Sequence, residues 1–380
     1  MLFSEIKGQN ELIERLKRII DKNRFPHAVL FEGKDGYGNL AVSLAVAQYI
    51  SCSGGTDISD SCGDCTSCKK YEKLVHPDLH LFFPSASNGS IDKDVESSLY
   101  IDKFREFVFE YGAYGSLNKW YEFIGVENKL GVINIRDANS LIKIISKKTF
   151  ESPYKIIIIW NADKLNTEAS NKILKILEEP YPNTFFILTT ENKSKIISTI
   201  LSRVQTFVLS PLSDEVMFSE IKKSDETLTD EKIYERVMQA EGDYNNINMF
   251  GSEFEKELHD NFITINRLAI MSKTKFKDTL SFVDTFSKKT REELKYFLSF
   301  YLKILNRCYL YNNAGGLNAH PLSFADDKFK ANFLKFITNA NIADIYSTVE
   351  QTRKNIISNA NVKMHLVNMI IKLGYCFENK

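Results

Sequence analysis

Two groups of residues in this sequence have the types and spacing that chemistry requires. The first is Cys52, Cys62, Cys65 and Cys68, in a C-x9-C-x2-C-x2-C pattern. Structural zinc takes four ligands in a tetrahedron, and thiolates suit it. The two short spacings let a tight loop aim three sulfurs at one point, and Cys52 closes the set from the end of a preceding helix. Gly54, Gly55 and Gly63 ease the turns. Four thiolates leave no open position, so the expected Zn2+ site is structural, not catalytic. His27, His76 and His80 are not needed as ligands, and His76-Pro77-Asp78 reads as a turn after the module. Cys308 and Cys376 fall in apolar helical patterns and read as core.

The second group is the glycine loop Gly33-Lys34-Asp35-Gly36-Tyr37-Gly38, set between the apolar run Ala28–Phe31 and an apolar helical stretch, Leu40–Ile50. Strand, glycine loop and helix form the layout of a phosphate-binding loop. Gly33 and Gly38 stand at the spacing of G-x-x-x-x-G-K-[ST]. The two positions that should carry the phosphate-pairing Lys and the Mg²⁺-holding hydroxyl are Asn39 and Leu40. A nucleotide site also needs an acid at the end of a buried strand. At that place stands Trp160-Asn161, and Asp163 falls beyond it in a turn. Both halves fail together, so neither hydrolysis nor ATP binding by this chain is expected. Taken alone, such a loop reads better as an ordinary β–α turn than as a former nucleotide site.

These residues need a scaffold, and the hydrophobic pattern supplies one. Residues 8–23 have helical spacing. Ile156–Trp160 and Thr184–Thr189 are apolar runs of the kind buried on both faces in a parallel sheet. Asn166 and Thr167 can cap a helix carrying Ala169, Ile173, Leu174, Ile176 and Leu177, which ends at Glu178-Glu179-Pro180. Glu178-Glu179 reads as that helix terminus, not as a carboxylate pair for acid–base work. Alternating strands and helices imply an α/β domain. Beyond Pro211 the pattern is helical, with a clear helix from Leu294 to Cys308, a turn at Asn312–Gly316 and a last helix over Val362–Leu373. Residues 84–130, rich in aromatics, read as an ordered insertion with no function assigned.

The 380 residues carry 49 Lys+Arg against 49 Asp+Glu. This balance argues against a chain that grips nucleic acid alone through a basic field. The zinc loop itself holds only Asp57, Asp60 and Asp64 as charges, which would repel phosphate. With no long apolar run and no secretory pattern at the N-terminus, an intracellular, cytoplasmic chain with reduced thiols is expected.

Several segments together resemble the delta-prime family of bacterial DNA polymerase III clamp-loader subunits, AAA+ relatives of the gamma/tau ATPases. They are Arg24-Phe25-Pro26-His27-Ala28, the cysteine cluster, His76-Pro77-Asp78, Asn171–Pro180 with its Leu-Glu-Glu-Pro end, and Leu201-Ser202-Arg203-Val204. The match covers about residues 1–210. It departs in having Val204 where the family usually has Cys, and in the length of 84–130. The resemblance implies an AAA+-type parallel-sheet domain with an inserted zinc module (about 1–208), a small helical lid (about 209–255) and a helical collar domain (256–380). It implies that Asn39-Leu40 and Trp160-Asn161 stand where gamma/tau subunits keep Lys-Thr and Asp-Glu. It also implies that Arg203 reaches in trans toward the ATP of a neighbour. The expected function is a non-hydrolysing stator that helps load the sliding clamp onto primed DNA, with gamma/tau and delta subunits as partners. The runner-up is an active gamma/tau-type ATPase, and a zinc-dependent nucleic-acid module is the third reading.

Overall fold

The computed structural model describes residues 1–54, 59–88, 95–126, 131–247, 252–271, 274, 276–313, 332–358 and 360–378. Gly55, Asp57, Ala314–Gly316 and parts of the 84–130 insertion lie outside them. The chain divides into two compact units, Met1–Met249 and Phe250–Lys380.

The first unit is built on five parallel strands: β1 (Ala28–Glu32), β2 (Leu79–Phe82), β3 (Lys155–Ile159), β4 (Thr184–Thr190) and β5 (Gln205–Val208). Their order is β2-β3-β4-β1-β5. Side chains alternate between faces along each strand. Val29, Phe31, Ile156, Ile158, Ile187 and Phe207 therefore fall in one core, and Leu30, Ile157, Ile159, Phe186 and Leu188 in another. Helices α1 (Asn10–Asp21) and α2 (Asn39–Ser51) close the first face. The short α3 (Thr66–Glu72) follows the cysteines. Helices α4 (Ile101–Tyr111) and α5 (Leu117–Phe123) come from the insertion, and α6 (Ile135–Ile145) and α7 (Thr167–Glu178) close the second face. Asn166 caps α7 by accepting the Ala169 N–H at 2.8 Å, as expected. The architecture fits the AAA+ clamp-loader fold.

Helix α8 (Ser198–Leu201), just before β5, and α9 (Asp214–Ser224) and α10 (Asp230–Ala240), after it, belong to the same unit. The second unit is helical among its described residues: α11 (Ser252–Ile270), α12 (Phe276–Phe286), α13 (Arg291–Asn313), α14 (Ile342–Ile357) and α15 (Val362–Glu378). Its core includes Phe262, Tyr301, Leu305, Cys308, Val349 and Leu373. The buried Tyr301 hydroxyl donates to Asn266 Oδ1 at 2.6 Å, so its burial leaves no orphaned polar atom. No described helix is long and apolar enough to cross a membrane.

Candidate metal centre and phosphate loop

Cys52 ends α2 and Cys65 caps α3, so two helix termini and the loop between them carry the four sulfurs. Sulfurs bonded at about 2.3 Å to one tetrahedral centre stand about 3.8 Å apart. Cys52 and Cys62 Sγ are 3.6 Å apart, and Cys62 and Cys68 Sγ 3.9 Å. All four lie within 4.8 Å of one another. Backbone N–H groups of Gly54 and Cys62 point at Cys52 Sγ, that of Cys65 at Cys62 Sγ, and that of Cys68 at Cys65 Sγ, at 3.3–3.4 Å. Such donors stabilise thiolate charge. The donor set and its spacing fit a metal ion of zinc type. The histidines stand aside: His27 Nε2 contacts Leu177 O, His76 Nδ1 accepts the Asp78 N–H, and His80 lies in β2.

Asp78 has a role that its sequence does not announce. Its carboxylate accepts N–H groups of Phe150, Glu151 and Ser152 at 2.7–2.8 Å, tying the turn after the metal module to the loop before β3. Burial alone would raise this carboxyl, but the three amides outweigh it and hold it below the ordinary Asp value.

The glycine loop leaves the carboxyl end of β1, beside β4. This is where open α/β sheets place ligands. Here three of the loop's main-chain donors are already in use. Gly33 N–H bonds Thr190 O, Tyr37 N–H bonds Lys34 O, and Gly38 N–H bonds Asp35 O, at 2.9–3.0 Å. Asn39 turns back and donates from Nδ2 to Gly33 O (3.0 Å) and to Asp35 Oδ1 (3.2 Å). Trp160 donates its indole N–H to the same Asp35 oxygen at 3.2 Å. Leu117 N–H donates to Asp35 Oδ2 at 3.0 Å. The glycine loop and the end of β3 thus bond to each other through one buried carboxylate. Burial, and secondarily the charge of Glu191, push the Asp35 carboxyl well above its usual range, against the pull of its donors. Leu40 is buried in the core of α2 and offers no hydroxyl.

The space that glycine provides is also filled. A Cβ on Gly36 would stand 1.8 Å from Asp243 Oδ1. Lys34, the one lysine of the loop, pairs with Asp243 at 3.6 Å. Gly38 adopts φ +93°, and a Cβ there would meet the Tyr114 ring at 2.8 Å. Asp163 accepts from the Thr190 hydroxyl at 3.0 Å and pairs with Lys164 at 3.2 Å, in the turn expected for it.

Arg203 follows α8. Its guanidinium donates to Thr199 O at 2.7 Å and to Ser202 Oγ at 3.0 Å, and pairs with Glu178 at the end of α7. Gln205 pairs with Val29 across the sheet, and the loop begins beyond Glu32. The start of β5, two residues after Arg203, is therefore separated from Gly33 by roughly 13 Å along the strand direction, at about 3.3 Å per residue.

A family model described as DNA polymerase III, delta subunit, matches residues 8–213. The DNA polymerase III subunit delta' of Bacillus subtilis (strain 168) is 30% identical over 223 residues, covering 58% of this chain and 54% of that protein. Its counterpart in Haemophilus influenzae (strain ATCC 51907 / DSM 11121 / KW20 / Rd) is 28% identical over 211 residues, 56% of this chain and 51% of that protein. The DNA polymerase III subunit tau of Bacillus subtilis is 25% identical over 221 residues, 58% of this chain and 31% of that protein. The chain spans about half the length of the delta' relatives it matches. With more than half of its residues matched, the chain belongs to the DNA polymerase III delta-subunit family, among the delta' clamp-loader subunits.

Proposed function

We propose that this chain is a non-hydrolysing stator of a replicative clamp loader. In this reading it works with gamma/tau and delta subunits to open a sliding clamp and place it on primed DNA, in the cytoplasm. One observation carries the reading. The phosphate loop and the strand end that should hold Mg²⁺ instead hydrogen-bond to each other through Asp35, Asn39 and Trp160. A gamma/tau-type ATPase would need those positions free. The unit spanning 1–249 then comprises the AAA+-type domain (1–208) and the lid that follows it, and the helical unit serves as the collar.

Arg203 is the residue through which such a subunit acts. It lies at the opposite end of the strands from its own loop, which supports a role toward a neighbour's ATP and not its own. A guanidinium keeps its charge and spreads over several phosphate oxygens. Its pairing with Glu178 holds it at the surface, where an interface could take it up. The cysteine cluster holds Zn2+ as a rigid brace between α2 and α3. It carries no catalytic step.

The testing experiment is co-purification with candidate gamma/tau and delta partners and native mass of the product, followed by ATPase assay. Arg203→Ala is expected to leave assembly intact and to lower DNA-stimulated ATPase. Arginines supplied in trans are worth about 10³–10⁵ in rate in other systems. Unchanged ATPase in an assembled complex would count against the finger role, and no stable complex would count against the stator reading.

A further inference from the structure

Residues 84–130 have so far no task, yet their described part lies on the phosphate loop. We propose that this insertion is a built-in occupant of the former nucleotide pocket, standing permanently where a nucleotide would otherwise order the loop.

Three contacts argue for this. Leu117 N–H, at the start of α5, donates to Asp35 Oδ2 inside the loop. The Tyr114 ring lies against Gly38, in the space that the glycine leaves open. The Tyr114 hydroxyl accepts the Lys7 N–H at 2.8 Å, so the ring is held from its far side as well. Behind these contacts the insertion is anchored on the strand end. Phe104 and Phe107 stand 5.5 and 6.1 Å from the Trp160 ring, and within the insertion the Trp120 indole N–H donates to Pro84 O at 2.8 Å. Trp160 in turn donates to Asp35. The insertion, the strand end and the loop form one closed set of contacts.

A decoration packed on the sheet would need apolar contacts only. This one reaches a buried acid of the loop with a main-chain donor, and covers the glycine that a phosphate would approach. A phosphate entering here would displace the Tyr114 ring and face the Asp35 carboxyl oxygens, which accept hydrogen bonds and offer a phosphate no donor in their place. The loop is thus held in one shape without ligand. The inference rests on reading 33–40 as a former phosphate loop. It does not depend on the stator assignment, because its test uses the isolated full chain.

The test follows amide hydrogen exchange in peptides covering 33–40. Leu117→Pro removes the single N–H donor at the first helical position, where proline is tolerated, and Ser116 before it is already extended. Tyr114→Ala removes the ring from Gly38. Each variant should speed exchange of the loop by about tenfold or more, the scale of one lost bond to a charged group, while exchange in 252–378 stays as in the unsubstituted chain. In parallel, Asn39→Lys with Leu40→Thr restores the missing side chains and leaves the insertion in place. This double variant should give no fluorescence change with a Mg²⁺-bound fluorescent ATP analogue. Two results overturn the proposal: unchanged loop exchange in both insertion variants, with the helical unit still folded, or saturable analogue binding by the double variant.

Discussion

The cysteine cluster and the glycine loop are both places where a ligand set is written into the sequence, and the structure treats them oppositely. At the cysteines, four sulfurs converge at tetrahedral spacing, and backbone N–H groups point at three of them. At the loop, three N–H groups are spent on carbonyls of the chain, and a buried carboxylate holds the centre. The comparison teaches how to read a motif. Spacing says where a ligand once fitted or still fits, and the fate of the polar atoms says which.

The largest expected effect lies on the cysteine side. Cys62→Ser, or strong chelation, should remove bound zinc and unfold the segment around Cys52–Glu72. Structural zinc in small modules contributes apparent binding free energies of about 10 kcal/mol. Metal analysis by mass spectrometry and proteolysis of the segment check this. Undenatured, unchelated protein without zinc would erase the contrast between the two regions.

Next comes Asp78, which ties the metal module to the sheet. Asp78→Ala leaves three amide donors without their acceptor and should cost about 3 kcal/mol, read from the denaturant midpoint. Acid sharpens the comparison further. Asp78 is held below its unfolded value, so its stabilisation is complete above the unfolded pKa of about 3.9 and fades as pH falls through the lower folded value. Asp35 is raised, so the folded state binds the extra proton first and the loop gains stability as pH falls through that raised value. Exchange measured along a descending pH series should loosen 148–152 while tightening 33–40, after correction for intrinsic rates. Parallel loosening of both would refute the opposed assignment.

A smaller effect, about 1–2 kcal/mol, is expected for Trp160→Phe, which keeps most of the ring contact and deletes one donor to Asp35. The smallest is none at all. Mg²⁺-ATP should leave the thermal midpoint unmoved, whereas a binder at a hundredfold excess over its Kd would gain about 2.7 kcal/mol.

Much of this was legible in the residues. The cysteine spacing, the broken loop and the three inner strands all follow from short-range patterns. Strands β2 and β5 escaped notice because they are the sheet's edges. Edge strands bury less, so polar residues such as His80 and Gln205 interrupt their apolar runs. Asp35 escaped for another reason. A lone acid in a glycine turn reads as solvated, and its partners Leu117 and Trp160 lie 82 and 125 residues away. No local pattern carries that information. The aromatic content of 84–130 did signal order, but only the folded chain supplies what the order is for.

The separation of Arg203 from the loop along β1 and β5 gives the molecule a polarity. Head-to-tail assemblies grow because every copy offers one face and accepts another. In the stator reading, a chain that offers an arginine at one end and is sealed at the other can join such a series in a single orientation. Like the capping unit of a repeat array, it ends the series instead of extending it.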